Sequence, residues 1–377
     1  MRLAAAIVFS ALICRAAAAG PIADLDVLHE DGSEGFAHAL QPREFTFPQD
    51  NGPHPAFRHE WWYVTGNLDA VSGERFGFEL TFFRLALAPP AGAIPGAAAS
   101  ASASRWRTRQ IYTAHFAITD VARGEFRFAQ KYSRAALGLA GAQADPFRVW
   151  LDDWTLGVDS AAPGAGWRLH AQGQDYDLTL EAEPLLPPVL NGEHGLSRKS
   201  DDPGTASYYY SIPRIAVRGR ILRAGRSFEV HGLAWLDREW GSGALGKAQQ
   251  GWDWFALQLA DGSALMFYAL RDRDGRRDPH SAGTWIDREG RARALSADQV
   301  RIDVMDHWNS PRGGRYPSRW RLQAPAVGLD VEVRPALANQ ELGTHPRYWE
   351  GAVDVSGMQG SVRTEGRGYV ELVGYGE

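Results

Sequence analysis

Apolar and polar residues alternate with a period of two over much of the chain. Residues 76–83 (FGFELTFF), 112–119 (YTAHFAIT) and 176–182 (YDLTLEA) are clear examples, and Gly, Asp, Pro or Ser residues separate such runs. Short runs of this kind are typical of strands in a β-sandwich or β-barrel. Helix-like periodicity is rare, so we predict an all-β fold. Further predicted strands cover residues 167–171, 215–221, 227–235, 252–259, 264–270, 319–322, 329–333 and 368–373.

Two distant segments share one pattern and indicate an internal repeat. The segments that begin at Trp61 (WWYVTGNLDAVSGERFGFELTFFR) and Trp252 (WDWFALQLADGSALMFYALR) each have an aromatic start, an Asp/Gly turn and a second apolar strand closed by arginine. Residues 208–210 (YYY) before IPRIAVRG and 348–349 (YW) before EGAVDVSG form a second matching pair. We therefore predict two copies of one β-domain. The predicted boundaries are a signal segment at 1–19, an arm at 20–44 and domains at 45–224 and 225–377.

The first 19 residues, MRLAAAIVFSALICRAAAA, have the layout of a secretory signal peptide. A basic residue precedes an apolar run that is too short to span a bilayer, and an A-x-A pattern precedes Gly20. We expect cleavage near Ala19 and export to the periplasm or the outside. Cys14, the single cysteine, would then be absent from the mature protein, which fits an oxidising compartment. Lipidation at Cys14 is the alternative, although the preceding Ile13 is larger than that signal favours.

Composition narrows the class of protein. The 377 residues are enough for about two domains, and 44% hydrophobic with 23% charged residues excludes intrinsic disorder. A net charge of −5 gives no basic footprint for nucleic acid. The sequence has no H-E-x-x-H, G-x-S-x-G or phosphate-binding glycine loop, and the 11 histidines show no metal-ligand spacing. We therefore predict no metal and no cofactor. Residues 89–104 (PPAGAIPGAAASASAS) predict a surface loop between two strands.

Three clusters combine tryptophan with carboxylates: residues 58–63 (RHEWWY), 231–241 (HGLAWLDREWG) and 251–254 (GWDW). Successive side chains of a strand point to opposite faces of its sheet. The predicted same-face groups are Glu60 with Trp62, His59 with Trp61 and Tyr63, Asp237 with Glu239, Arg238 with Trp240, and Trp252 with Trp254, which Asp253 opposes.

A carboxylic acid that faces an aromatic barrel interior loses contact with water. Its pKa rises, and it can stay protonated and act as a general acid. The alternative is purely structural, because Trp and Tyr often fill the base of a small barrel and an Arg–Glu pair beside them can close that end. The clusters alone leave both interpretations open.

Several motifs together resemble the AttH/hydroxyneurosporene synthase family. They are HEWWYVTGNL (59–68), TAHFAITD (113–120), SIPR (211–214), WLDREWG (235–241) and GWDWFALQLADG (251–262). This lipocalin-like group contains bacterial carotenoid 1,2-hydratases and secreted members described as hydrolases. The resemblance covers residues 45–375. It implies two tandem lipocalin-like antiparallel β-barrel domains, with a hydrophobic ligand cavity near their junction.

The resemblance also suggests site residues. In the hydratases, a motif similar to D-H-x-W is followed by a strand that carries Tyr-x-Asp. Here Asp237, Trp240 and Tyr268 match that pattern, whereas Arg238 replaces the His and Leu270 replaces the Asp. The presumed proton donor is therefore missing unless another buried carboxylate replaces it.

The resulting hypothesis is an exported protein that acts on an apolar isoprenoid or lipid ligand by cofactor-free hydration. The alternatives are a non-catalytic lipid or pigment carrier, which could pass its ligand to an envelope transport partner, and a hydrolase of a lipid-like ester. The candidate catalytic residues are Asp237, Glu239, Asp253, Glu60, His59 and Tyr268. The candidate ligand-binding residues are Trp62, Tyr63, Trp240, Trp252, Trp254, Tyr209 and Arg238.

Overall fold

The computed structural model describes residues 33–90, 108–158, 166–243, 245–344 and 346–376, in which β-strands predominate. The described helical segments are three short 3₁₀ turns at Gln49–Asn51, Ala297–Gln299 and Pro325–Val327. The all-β prediction is therefore confirmed. The predicted signal segment at 1–19 and most of the predicted loop at 89–104 lie outside the described residues. Within the described ranges, no helix is long and apolar enough to cross a membrane.

The described part of the chain contains the following strands in sequence order. They are β1 (His59–Ala70), β2 (Arg75–Ala86), β3 (Gln110–Asp120), β4 (Glu125–Arg134), β5 (Ala140–Ala144), β6 (Phe147–Leu151), β7 (Trp154–Val158), β8 (Trp167–Gln172), β9 (Tyr176–Pro184), β10 (Val189–Leu190), β11 (Leu196–Arg198), β12 (Ala206–Arg223), β13 (Arg226–Gly243), β14 (Gln249–Leu259), β15 (Ala264–Asp272), β16 (Ala282–Ile286), β17 (Ala292–Ser296), β18 (Arg301–Asn309), β19 (Arg315–Ala324), β20 (Leu329–Pro335), β21 (Glu341–Leu342), β22 (Tyr348–Gln359) and β23 (Val362–Val373).

These strands form two antiparallel sheets. The first has the order β4-β3-β2-β1-β13-β12-β9-β8-β7-β6-β5, with β10 and β11 also paired to β12. The second has the order β17-β16-β15-β14-β23-β22-β20-β19-β18, with β21 paired to β22. The first sheet is a nearly closed barrel and the second is a half-barrel.

The two sheets repeat one strand order. In each sheet the first strand pairs with the second and the last, so β1 lies between β2 and β13, and β14 lies between β15 and β23. The next-to-last strands, β12 and β22, also hold equivalent places. The segments that begin at Trp61 and Trp252 therefore start equivalent hairpins, as the sequence pattern predicts.

The chain crosses from the first sheet to the second about 20 residues after the predicted domain boundary at 224/225. That junction falls in the hairpin between β12 and β13, and both strands belong to the first sheet. Strand β13 fills the place between β1 and β12 along its whole length. The chain therefore leaves the first sheet after Gly243 and enters the second at Gln249.

Strand alternation divides the buried side chains into three groups. One group fills the barrel and another covers the concave face of the half-barrel. The third group, which we call the inter-sheet layer, lies between the outer face of the barrel and the facing side of the second sheet. Strands such as β1 and β2 are buried on both faces, which explains their nearly continuous apolar sequences. The aromatic members of the inter-sheet layer are Tyr63, Tyr209, Trp235, Trp254, Tyr268, Tyr348 and Tyr369.

Candidate active site between the two sheets

One row of side chains crosses the outer face of the first sheet. The strand register pairs Asp237 of β13 with Tyr63 of β1, and Tyr63 with Thr81 of β2. His115 of β3 extends the row beyond Thr81, and Ser211 of β12 extends it beyond Asp237. The matching row on the second sheet is Glu350, Glu371, Trp254 and Tyr268.

Three neutral donors hold the carboxylate of Asp237. The indole of Trp235 donates to Oδ1 at 2.6 Å, and the hydroxyl of Ser211 donates to the same oxygen at 2.5 Å. The hydroxyl of Tyr209 donates to Oδ2 and itself accepts a hydrogen bond of 3.1 Å from Trp254 Nε1. The carboxyl group is thus oriented by its own sheet and, through Tyr209, by a tryptophan of the other sheet.

The surroundings of Asp237 favour its protonated form. The residue is only 3% exposed, and burial raises the pKa of its carboxyl to about 7. The hydrogen bonds from Ser211, Tyr209 and Trp235 lower the pKa, whereas the nearby charge of Glu239 raises it. A carboxyl that titrates near neutral pH can both give a proton to a substrate and take one back.

Glu239 lies on the same face of β13 but has a different partner. The ammonium group of Lys199 lies 3.3 Å from Oε1 of Glu239, and the hydroxyl of Ser207 donates to the same oxygen. Burial alone would lower the pKa of Lys199, but Glu239 and Tyr268 together outweigh burial, and the pKa is raised. Glu239 is therefore one half of a buried ion pair. Of the two acids predicted on this strand, Asp237 is the better proton donor.

Tyr268 lies next to Lys199. The ammonium nitrogen is 3.9 Å from the centroid of the Tyr268 ring and 5.3 Å from that of Tyr209. Ser197 Oγ accepts a hydrogen bond of 3.0 Å from Lys199 and lies 2.9 Å from the Tyr268 hydroxyl. Tyr268 therefore helps to position Lys199, the counter-charge of Glu239.

Three further acids, which we call the carboxylate cluster, lie in the same layer: Glu79 of β2, Glu350 of β22 and Glu371 of β23. Burial raises the pKa of Glu79 to about 8 and that of Glu371 to about 8, and it raises the pKa of Glu350 well above its usual range. Repulsion between the three adds to the effect. Within the described ranges, neither oxygen of Glu79 has a hydrogen-bond partner of ordinary geometry, although the hydroxyl of Thr81 is close enough to lower the pKa of Glu79.

His115 completes the carboxylate cluster. A ring nitrogen of His115 and one carboxylate oxygen from each of Glu79 and Glu350 lie within 4.8 Å of one another. Burial lowers the pKa of His115 to about 4, so the ring is neutral. The sequence spacing predicts no metal site, yet pairing of β2 with β3 and packing of β22 against them bring together three potential ligands that are distant in sequence.

The predicted acid Glu60 points into the barrel, away from Asp237. It forms ion pairs with both Arg84 and Arg238. Burial alone would raise the pKa of Glu60, but the two guanidinium groups outweigh burial and hold the pKa well below its usual range. The rise in pKa that we expected for an acid inside the barrel does not occur at Glu60, because its neighbours are cations rather than only aromatic rings.

Three predicted ligand-binding residues share the barrel interior with Glu60. The guanidinium of Arg238 stacks over Trp62 at 3.9 Å, and His54 stacks on Trp240 at 3.7 Å between ring centroids. Trp62, Trp240 and Arg238 therefore lie on the opposite side of the sheet from Asp237.

His59 and Asp253 also lie apart from the Asp237 carboxyl. His59 stacks on Trp61, and burial lowers the pKa of His59 to about 3. Asp253 faces the interior of the second sheet, where it pairs with Arg271 at 2.9 Å. Burial raises the pKa of Asp253 against the effect of that arginine.

The remaining predicted aromatics meet in the inter-sheet layer. The rings of Tyr63 and Trp254 pack edge to face at 5.2 Å. Trp252 Nε1 donates to Glu371 Oε1 at 2.5 Å, and Tyr209 bonds Asp237. Residues from all three tryptophan-rich motifs thus meet in the inter-sheet layer. Each strand contributes only the side chains of the face that points toward this layer.

A cavity of about 390 Å³ lies beside strands β8, β9 and β12 of the first sheet. Its lining is mainly apolar and contains none of the carboxylates of the inter-sheet layer. The lining residues are Phe47, Asn51, Trp167, residues 184–188 and Ile212.

Several polar residues of the layer were not predicted from the sequence. Glu79, Glu350 and Glu371 each interrupt an otherwise apolar or aromatic strand, and that interruption was an available signal. Lys199 carried no such signal, because it follows the short strand β11 and reaches the layer through tertiary packing.

Comparisons with known proteins agree with this architecture. The model of the AttH-like family matches residues 38–375. The crystal structure of an AttH from Nitrosomonas europaea is similar with a TM-score of 0.76 and 35% identity, covering 90% of this chain and 100% of that one. Kievitone hydratase from Nectria haematococca has a similar fold, with a TM-score of 0.65 and 15% identity over 91% of this chain and 97% of that one.

A curated relative is similar over part of its length. The dehydratase asqC of Emericella nidulans is 24% identical over 210 residues, which are 52% of this chain and 58% of that protein. The match thus spans little more than half of the relative.

Proposed function

The chain belongs to the AttH-like family, and from that membership we propose that it is a hydratase or dehydratase whose acid is Asp237. The two names describe one reaction in opposite directions. Among the similar proteins, a hydratase shares the fold and a dehydratase shares sequence. The observation that carries the proposal is the carboxyl of Asp237, which is buried among neutral donors and aromatic rings, with a pKa raised to about 7 by burial.

In the hydration direction, Asp237 transfers its proton to one carbon of a C=C bond. The π electrons form the new C–H bond, and the other carbon becomes a cation. Water adds to the cation through oxygen and returns one proton to the Asp237 carboxylate, so the acid is regenerated and the product is an alcohol. Dehydration is the reverse sequence. General acid catalysis of this kind contributes roughly 10²–10⁴-fold to the rate.

The aromatic residues around Asp237 suit a cationic intermediate on an apolar substrate. Trp254 packs edge to face with Tyr63 at 5.2 Å and with Trp235 at 6.5 Å. Each ring face that a cation meets contributes about 0.5–2 kcal/mol of stabilisation. The apolar and aromatic side chains of the layer favour an isoprenoid- or lipid-like substrate class.

The test begins with the ligand itself. Purified protein is extracted with organic solvent, and the extract is analysed by mass spectrometry. The extracted compounds and a panel of acyclic isoprenoid alkenes are then incubated with the protein in ¹⁸O-labelled water. We expect products that gain or lose one water, with label in the hydroxyl group.

Variants decide which acid is responsible. We expect Asp237→Asn to lower turnover by about 10²–10⁴-fold while circular dichroism stays unchanged. Asp253→Asn is the matched control, because Asp253 is also a buried aspartate with a pKa raised by burial, but it faces the interior of the second sheet. Full activity in Asp237→Asn would reject the proposal. Stoichiometric release of an unmodified lipid without turnover would support the alternative of a carrier.

We also propose that the protein is exported, on the basis of residues 1–19 alone. Expression of the full chain in a bacterial host, followed by intact-mass measurement of the periplasmic fraction, would test this. Cleavage after Ala19 is expected, and an uncleaved cytoplasmic product would contradict it.

A further inference from the structure

We propose that Glu79, His115 and Glu350 bind a divalent transition-metal ion that links the two sheets. The site is separate from Asp237 and does not depend on the proposed function. In the strand register, His115 lies three strands away from Asp237, which corresponds to roughly 14 Å at the usual strand spacing.

The geometry brings three ligand atoms within reach of one ion. A carboxylate oxygen of Glu79, a ring nitrogen of His115 and a carboxylate oxygen of Glu350 all lie within 4.8 Å of one another. All three residues are at most 3% exposed. Ligand atoms around a tetrahedral zinc ion at about 2.0–2.2 Å are separated by roughly 3.3–3.6 Å, so side-chain movements that bring the three atoms closer by roughly 1–1.5 Å at most would complete the site.

Several atoms of this group lack the partners that buried polar atoms normally have. Among the residues that the structure describes, both oxygens of Glu79, Oε2 of Glu350 and Nδ1 of His115 find no hydrogen-bond partner of ordinary geometry, although they are buried. Buried polar groups in native proteins are nearly always satisfied. A dication would satisfy these atoms together and would neutralise two carboxylates that otherwise repel each other.

Gln130 gives His115 the support that metal-binding histidines usually have. The amide of Gln130 lies 2.7 Å from Nε2 of His115. An amide can present either its oxygen or its nitrogen, so Gln130 can accept the Nε2 proton and leave the lone pair on Nδ1 for a metal. Thus the second ring nitrogen is anchored while Nδ1 is free to coordinate.

The donor set favours zinc. One imidazole and two carboxylates suit Zn²⁺, with an open fourth position for water or substrate, and Zn²⁺ binds such donors more tightly than Mn²⁺. Glu79 and His115 come from the barrel, whereas Glu350 comes from the second sheet. A bound ion would therefore act as a cross-link between the two sheets.

The experiment uses the full chain, freed of metal with a chelator and then dialysed against ZnCl₂ or MnCl₂. We expect about one zinc per chain by elemental mass spectrometry and a higher unfolding temperature with zinc. Glu79→Gln, His115→Gln and Glu350→Gln should each abolish stoichiometric binding. Gln130→Ala should weaken it by about 10–100-fold and serves as a variant at a less buried position, in case a ligand variant fails to fold.

His280→Gln is the matched control. His280 contacts Asp278 at 2.9 Å and Asp201 at 3.1 Å near the surface, so it tests adventitious binding at another histidine with two acids. Zinc binding should be unchanged in this variant. The proposal is overturned if the wild type binds neither ion stoichiometrically, if Glu79→Gln and His115→Gln both retain the bound ion, or if His280→Gln loses it.

Discussion

Glu60 and Asp237 lie on neighbouring strands of the same sheet, and both are buried beside tryptophan, yet they have opposite electrostatic character. Glu60 faces the barrel, where Arg84 and Arg238 keep its pKa well below the usual range. Asp237 faces the inter-sheet layer, where burial raises its pKa to about 7 and its donors are neutral. A carboxylate next to tryptophan in the sequence can therefore be either a permanent anion or a proton donor, depending on which face of the sheet its side chain occupies.

We expect the largest effect on stability when the ion pairs of Glu60 inside the barrel are removed. Glu60→Gln removes the anion that pairs with two buried guanidinium groups. Loss of one partner from a buried ion pair costs about 3–5 kcal/mol, so we expect a loss of that size in the free energy of unfolding, measured in urea. Glu181→Gln removes an exposed partner of Arg218 and should have almost no effect. An equally small loss in Glu60→Gln would contradict the assignment of Glu60 as a structural anion.

Asp237, which faces the inter-sheet layer, should make the stability of the protein depend on pH. The sign of this dependence is opposite to that of a carboxylate in an ordinary ion pair. Because the pKa of Asp237 is about 7 in the folded protein and lower when unfolded, its contribution is complete at acidic pH and is lost as pH rises to about 7. We expect Asp237→Asn to remove this dependence. As the pH rises toward 7, the unfolding free energy of the variant should therefore increase relative to that of the wild type, by up to about 1.4 kcal/mol per pH unit.

Urea titrations at several pH values between 4 and 8 would measure this difference. Because the carboxylate cluster is present in both proteins, most of its own pH dependence cancels in the difference, and what is left is the titration of Asp237 together with the effect of its charge on Glu371. A constant difference across the range would mean that the carboxyl of Asp237 does not titrate there.

A smaller effect is expected from the hydrogen bond that Tyr209 donates to Asp237, which lowers the pKa of that carboxyl. Tyr209→Phe removes the donor to Oδ2 of Asp237 and the acceptor of the Trp254 indole. Hydrogen bonds to a charged group contribute about 1.5–3 kcal/mol, and loss of this one should move the pH profile of turnover upward by roughly one unit. Tyr369→Phe is the control, since the Tyr369 hydroxyl has no hydrogen-bond partner of ordinary geometry in the part of the chain that the structure describes. An unchanged profile in Tyr209→Phe would exclude this tuning role.

The smallest effect is expected at the rim of the two sheets. Arg75 of the barrel pairs with Asp354 of the second sheet at 2.7 Å, and both side chains are partly exposed. Such pairs contribute about 0.2–1 kcal/mol, so Arg75→Ala should reduce stability by no more than that and should do so less at high salt. A loss of several kcal/mol would show that the rim, rather than the buried layer, holds the sheets together.

The sequence was sufficient to predict the all-β fold, many of the strands and the division of side chains between faces, whereas strands such as β4 and β18 were not predicted. Alternation placed Glu60 with Trp62 and Asp237 with Glu239, because a strand that stays extended leaves no other choice. The sequence could not tell which face was the barrel interior. Both faces of β1 and β13 are buried, so hydrophobicity did not distinguish them.

The partners of each acid were also beyond local sequence. Arg84 is 24 positions from Glu60 and meets it through the pairing of β1 with β2, whereas Lys199 is 40 positions from Glu239 and reaches it through tertiary packing. The carboxylate cluster depends on a still longer connection, since Glu79 and Glu350 belong to different sheets. Prediction of these contacts requires the topology of both sheets and their packing.

The repeated strand order has one more consequence. Asp237 on the last strand of the first sheet lies beside Tyr63, and Glu371 on the last strand of the second sheet lies beside Trp254. The two acids hold corresponding places in the duplicated pattern, and each accepts a hydrogen bond from an indole. The molecule thus has two buried acids at equivalent positions, one on each of the two facing sheets, and each can hold a proton. If the halves descend from a common unit, a single inherited position supplied an acid to both.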